Sequence, residues 1–367
     1  MKMQRLKCML YKEDWNEVCE HFRAWWENER DEPLIQVAAP KKGYEKTLAW
    51  WGWGFAKDPS NPEKTVAQFE DYCSKVWFGG DAYPDLWINL GPGIAATFIG
   101  AEPRYRGDSE TVWFETPKTW EELEKMEVRP HGRWWQITKN LTSYVMGRSR
   151  GKFVAGITDL GGATDILASL RGSQNLIIDM FKNAEKVKAL STKILDMWHT
   201  CYDELYRISE GKTRGNSAWM GLWSHESWYP LQCDFAAMLS PKLFRELAFP
   251  YIKEQCERLN HTIYHLDGPG EIPHLDALLS IPELDGIQWT PGAGHSTVTS
   301  PEWFNLYKKI QEKGKRLVLL DASESQVPSL TKNLKPKGLF IRTYCETEDK
   351  ARALLKTLGY NSRQRQQ

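Results

Sequence analysis

Apolar residues follow two rhythms along this chain, and the switch between them outlines the fold. Trp15, Val18, Cys19, Phe22, Trp25 and Trp26 recur at three- and four-residue spacing, which predicts an amphipathic helix within the first 30 residues. "EPLIQVAAP" (32–40) reads as a buried strand and "TVAQFEDYCSKVWFGG" (65–80) as a helix. "DLWINLGPGIAATFIGAE" (85–102) reads as a strand, a Gly-Pro-Gly turn and a helix of small residues. From 103 to 150 the pattern is irregular and Trp-rich, with "TVWFE" and "TWEELEKM" as its only clear elements.

Beyond 151 the rhythm becomes regular. "KFVAGITDLGG" predicts a strand ending at Asp159, and a long helical stretch follows through "DILASL" and "NAEKVKALSTKILDMWHTCYDELYRI". "SAWMGLW" (217–223), "TIYHLDG", "DGIQWTPG", "RLVLLDAS" and "GLFIRTYC" read as strands. Helices fall between most of them; two are opened by Ser-Pro, at Ser240 and Ser300, as an N-cap and first helical residue should be. Apolar, non-alternating strands separated by helices predict a parallel sheet covered by helices. Eight such strands in 367 residues predict a (β/α)₈ TIM barrel with an N-terminal helical extension, built as one domain over 1–367.

A barrel gathers the C-terminal ends of its strands at one mouth, where loops carry polar groups beside a rigid core. The residues at those ends are Asn89, Asp159, His265 with Asp267, Gln288 with Trp289, Asp321, and Thr343 with Cys345; the loop after "AWMGLW" adds His225, Glu226, Cys233 and Asp234. His265 and Asp267 lie two apart on a strand and so share a face. That spacing suits a pair of metal ligands, an acid and base acting on one substrate, or an Asp that only orients a structural His. His265, Asp267 and Cys345 together would make a three-ligand zinc site with an open fourth position. Asp234 either caps the next helix or faces the pocket, and His274, two turns into a helix, reads as structural.

Composition narrows the field. Lys+Arg and Asp+Glu balance at 48 each, which leaves no net field for nucleic acid or an anionic membrane. Seven scattered cysteines argue for reduced thiols in a cytoplasm, and no apolar run suggests a membrane span or signal peptide. The 18 tryptophans stand out. Most should be core; Trp219, Trp223 and Trp289 are the ones placed to wall a pocket for a flat, apolar or cationic small molecule.

The run "DFAAMLSPKLFRELAFPYIKEQCERL", then "IYHLDG" and "LDGIQW", resembles the uroporphyrinogen decarboxylase superfamily, in particular its corrinoid-linked methyltransferases and their uncharacterised relatives. "WINLGPGIAATFIGAE" and "ETEDKARALLKTL" are similar to its second-strand segment and closing helix, and residues 1–80 are idiosyncratic. The resemblance implies a (β/α)₈ barrel and methyl transfer between a small molecule and a corrinoid protein or thiol. In such an enzyme zinc would sit on His265, Asp267 and Cys345, with Asp159, Trp219, Trp223, Asp234, Gln288 and Trp289 around the substrate. The chain departs from the family in two places. Residues 30–60 carry no arginine-rich R-Q-A-G-R loop, and Asp267 stands where the zinc-dependent members have cysteine. A hard carboxylate in place of a soft thiolate makes a weaker, less electron-rich zinc site. Two other readings stay open: a metal-free lyase or decarboxylase using His265 and Asp267 as the proton-transfer pair, and a binding protein without turnover.

Overall fold

The computed structural model describes residues 9–105, 111–114 and 116–360. Cys8 and the extreme N-terminus, read above for thiols and a leader, lie outside the described residues, as does Glu115 of "TVWFE". Thirteen strands are present among the described residues. In chain order they are β1 (Leu34–Pro40), β2 (Val76–Gly80), β3 (Asp85–Trp87), β4 (Pro103–Tyr105), β5 (Val112–Phe114), β6 (Val154–Gly156) and β7 (Asn216–Ser217). There follow β8 (Trp223–Ser224), β9 (Trp228–Gln232), β10 (His261–Asp267), β11 (Gly286–Thr290), β12 (Arg316–Ala322) and β13 (Leu339–Tyr344).

Seven of these form one sheet in the order β2-β1-β13-β12-β11-β10-β9. Every neighbouring pair in it is parallel except β2 on β1. A second sheet, β3-β6-β7-β8, is parallel as far as β7. The architecture is therefore mixed α/β with a mostly parallel central sheet, and the last long strand, β13, lies beside the first, β1. The ladder is not continuous around a ring. At one junction Asp81 N–H donates to the Ile35 carbonyl (2.8 Å), and at the other the Asn216 amide donates to the Trp228 carbonyl (2.8 Å).

The N-terminal helix, Trp15–Trp26, seals the starts of the strands. Its buried face presents Trp15, Phe22, Trp25 and Trp26, and Arg316 at the start of β12 donates to the backbone carbonyls of Trp25 and Trp26. The same guanidinium meets Asp285 at 2.9 Å and lies over both indole rings, so a buried cation is fully matched.

Three readings of the pattern need correction. Residues 65–80 are not one helix: the helix runs Pro62–Lys75, and Val76–Gly80 turns back as the antiparallel edge strand β2. Within the "irregular" segment, Gly132–Ser149 is an 18-residue helix. Its buried face mixes Trp135, Leu141, Val145 and Met146 with Thr138, Thr142 and Ser149, whose hydroxyls donate to carbonyls one turn back. Those polar residues in core positions disguise the apolar stripe. Finally, "SAWMGLW" is not a strand: it supplies only Ser217 to β7 and Trp223 to β8, and the strand that pairs with β10 is "WYPLQ". Pro230 argues against a strand from sequence, yet β9 is the last strand of its sheet, where a missing backbone donor is tolerated.

Candidate functional site

Strand β10 carries His265 and Asp267 at its end, and the short helix Asp234–Met238 begins where β9 stops. These elements bring Asp234, His265 and Asp267 together, with one ligand-type atom from each residue lying within 4.8 Å of the others. Asp234 comes from the cysteine-aspartate loop read above as either a cap or a pocket residue; the structure sets it at the start of the short helix Asp234–Met238, beside His265 and Asp267 but outside the lining of the cavity described below. Cys345 is not in this group. It is fully buried past the end of β13, its N–H donates to the Ala38 carbonyl, and burial together with the neighbouring Glu324 pushes its thiol up to about 12. A neutral thiol facing a carboxylate is a core group, and the third donor beside His265 and Asp267 is Asp234 instead.

His265 has its orientation fixed by Gln288, its neighbour across the β10–β11 ladder. The Gln288 amide NH₂ donates to the Trp289 carbonyl (2.8 Å) and to Thr290 Oγ1 (2.9 Å). Its oxygen therefore faces His265 Nδ1, which must carry the proton and donate. The lone pair is left on Nε2, the arrangement that a metal-binding or proton-accepting imidazole needs. With its polar atoms engaged in this way, Gln288 positions His265 rather than reaching a substrate.

Carboxyl groups crowd this corner. Asp159 lies three residues beyond β6, which ends at Gly156 rather than at the predicted Asp159; it accepts from Gly161 N–H (2.7 Å), and burial raises its carboxyl to about 6 against the pull of that hydrogen bond and of His265. Asp234 is exposed, yet neighbouring protein crowds its carboxyl. Withdrawal from bulk water, then the charges of Asp267 and Asp159, push it up to about 7. Asp165 and Glu271 complete the cluster. Burial, then the charge of Asp234, raises Asp165 to about 7 and Glu271 well above the usual carboxylate range. Asp165 Oδ2 and Glu271 Oε1 are buried without a hydrogen-bond partner among the described residues. A corner so rich in carboxyl oxygen, with one imidazole lone pair, fits a divalent cation by the chemistry of its donors.

A cavity of about 630 Å³ opens beside this group. Residues of β1, β3, β12 and β13 line it, joined by Phe69 and Tyr72 from the helix Pro62–Lys75 and by the Trp50–Trp51–Gly52 loop. Asn89 ties that loop in place: its amide donates to the Trp51 carbonyl (3.1 Å) while its oxygen accepts from Gly91 N–H. Trp219 connects cavity and cluster. It lines the cavity and meets the His265 ring edge-on, with centroids 5.0 Å apart. Trp223 and Trp289 do not line it. Trp223 is packed against Trp15 with its N–H on the Arg214 carbonyl, and Trp289 is buried against Trp303. His274 is structural as expected, stacked on Phe244 and bonded to the Ala236 carbonyl.

Sequence reasoning missed Asp85, Asp165, Glu271 and Arg342. Asp85 and Asp165 look like a strand boundary and a helix N-terminal residue, which are ordinary places for a carboxylate. Arg342 did carry a signal, being a charged residue inside the apolar run "GLFIRTY".

No family model matches the chain, and neither does any curated protein. Among solved structures the chain is similar in fold to a methyltransferase from Methanosarcina mazei. The TM-score is 0.60 at 11% sequence identity, over 93% of this chain and 98% of that one. At that identity the likeness concerns the fold.

Proposed function

We propose that this chain is a methyltransferase-like enzyme that moves a methyl group between a small molecule in the cavity and a corrinoid protein or thiol. The observation that carries the reading is the juxtaposition of the Asp234–His265–Asp267 donor group with an aromatic-walled cavity, Trp219 touching both. The fold shared with a methyltransferase supports it. On this reading the chain is a single domain, its two arcs of strands correspond to a (β/α)₈ barrel of the uroporphyrinogen decarboxylase type, and the protein works in the cytoplasm. Among the described residues no helix is long and apolar enough to cross a membrane.

His265 through Nε2, with one oxygen each of Asp234 and Asp267, would hold zinc or a similar divalent ion. Such an ion supplies Lewis acidity to a bound donor or acceptor atom. The chain's own residues do the rest. Gln288 fixes the imidazole, Asp159 holds or yields a proton near neutral pH, and Trp219 bounds the space where substrate lies. The test is methylcobalamin demethylation by dithiothreitol, followed by the absorbance of the corrinoid. Transfer that disappears in His265→Ala and after chelation supports the reading; transfer unaffected by both sinks it.

A specific observation favours a second reading, a metal-free lyase or decarboxylase. Asp159 and Asp234 both titrate close to neutrality beside His265, as an acid–base set requires. Turnover of a carboxylated substrate that survives exhaustive chelation would select it.

A further inference from the structure

The cavity contains a carboxylate that neither reading uses. Asp85, at the start of β3, lines it, and only one of its oxygens is matched: Ser217 donates its hydroxyl to Oδ2 at 2.7 Å, while Oδ1 has no hydrogen-bond partner among the described residues. Ser217 in turn meets the Tyr83 hydroxyl at 3.0 Å, so the carboxylate is held rigidly. The one cationic side chain among the cavity's described lining residues is Arg342. It is already engaged, with Nη1 donating to the Met220 carbonyl (3.3 Å) and Nη2 3.7 Å from the Asp321 carboxylate. With Asp85 ionised, Asp85 and Asp321 against Arg342 leave these lining groups one negative charge in excess.

Aromatic rings make up one part of the wall, with small residues and the polar Gln36, Thr290, Ser296, Thr297 and Thr343 in the remainder. Trp50 packs on Phe69 and Tyr72 with centroids 5.3 and 5.7 Å apart, and Trp87 and Trp219 also line the cavity. Aromatic π-systems attract cations that are poorly hydrated, and a buried carboxylate short of partners gains most from a cation that has few hydrogens to satisfy. An alkylated ammonium ion meets both demands.

We propose that the cavity binds a small quaternary or tertiary ammonium ion, with the Asp85 carboxylate as its counter-ion and the Trp50, Trp87 and Trp219 rings around its alkyl groups. This names the substrate class of the site proposed above and rests on that reading for its role in transfer, but binding itself does not require turnover.

The test uses the full chain and two probes of the same shape, choline and its uncharged isostere 3,3-dimethyl-1-butanol, titrated by calorimetry or tryptophan fluorescence. Choline should bind at least about tenfold more tightly than the alcohol, ~1.4 kcal/mol. Asp85→Asn should lower choline affinity about tenfold while leaving that of the alcohol unchanged. Affinities within about twofold of each other on the unaltered protein, or no binding of either probe, overturn the proposal. So does a folded Asp85→Asn variant that keeps the choline preference. Choline binding with no methyl transfer under any condition would count against the transferase reading alone.

Discussion

Gln288 illustrates how a single residue decides what its neighbour can do. Because its amide nitrogen is engaged by Trp289 and Thr290, its oxygen dictates the His265 tautomer. Gln288→Leu should therefore leave the fold intact and weaken zinc binding by roughly ten- to a hundredfold, measured by competition with a chromophoric chelator. Unchanged affinity would show that His265 does not depend on this bond. Cys345→Ser should leave metal affinity unaltered in the same assay, since the thiol is buried beside Glu324 and lies outside the donor group. The sequence made His265 and Asp267 legible because a two-residue spacing on a strand is itself a geometric statement. It could not rank Asp234 above Cys345, because which of two distant residues reaches a strand end depends on loop path and burial.

Elements were legible where apolar residues filled buried positions and obscure where polar residues replaced them. The strands β10 to β13 were read from pattern alone, since each is a short apolar run with turn residues at its ends, as were the helices after β10 and β11; the helix Val327–Asn333 between β12 and β13 was not. The helix Gly132–Ser149 was not, because Thr138, Thr142 and Ser149 occupy core positions by bonding to their own backbone. If that helix is packed as described, Leu141→Ala should destabilise the protein by about 2–4 kcal/mol in urea titrations. Asn140→Ala, on the exposed side, should change stability by less than about 0.5 kcal/mol. Equal effects would contradict the placement. Strand β9 escaped notice for a different reason. Its proline is excluded by a rule for central strands, and whether a strand is central is a property of the whole sheet.

At the scale of the whole molecule, burial of carboxyl groups should set the pH dependence of stability. Asp85 is raised to about 7 chiefly by burial, with Ser217 and Arg342 opposing. Its folded pKa lies above its unfolded one, so the folded chain binds more protons between the two values and stability falls as pH rises. No penalty exists well below the unfolded value, where both states are protonated; it grows from there towards pH 7 and is then constant. Asp159 and Asp165 act in the same direction. Asp85→Asn should accordingly be more stable than the unaltered protein at pH 8, by at most about 4 kcal/mol, and close to it at about pH 3, read from chemical denaturation. A gain independent of pH would mean that Asp85 is not the strained carboxyl.

The donor group is where fold, cavity and chemistry converge, and metal content tests it most directly. Protein purified without chelator, compared with Asp234→Ala, His265→Ala, Asp267→Ala and Cys345→Ser, should be assayed by plasma mass spectrometry. About one divalent ion per chain in the unaltered protein and in Cys345→Ser, with a large loss in the other three, is the expected result. Metal that departs with Cys345 and stays without Asp234 would contradict it.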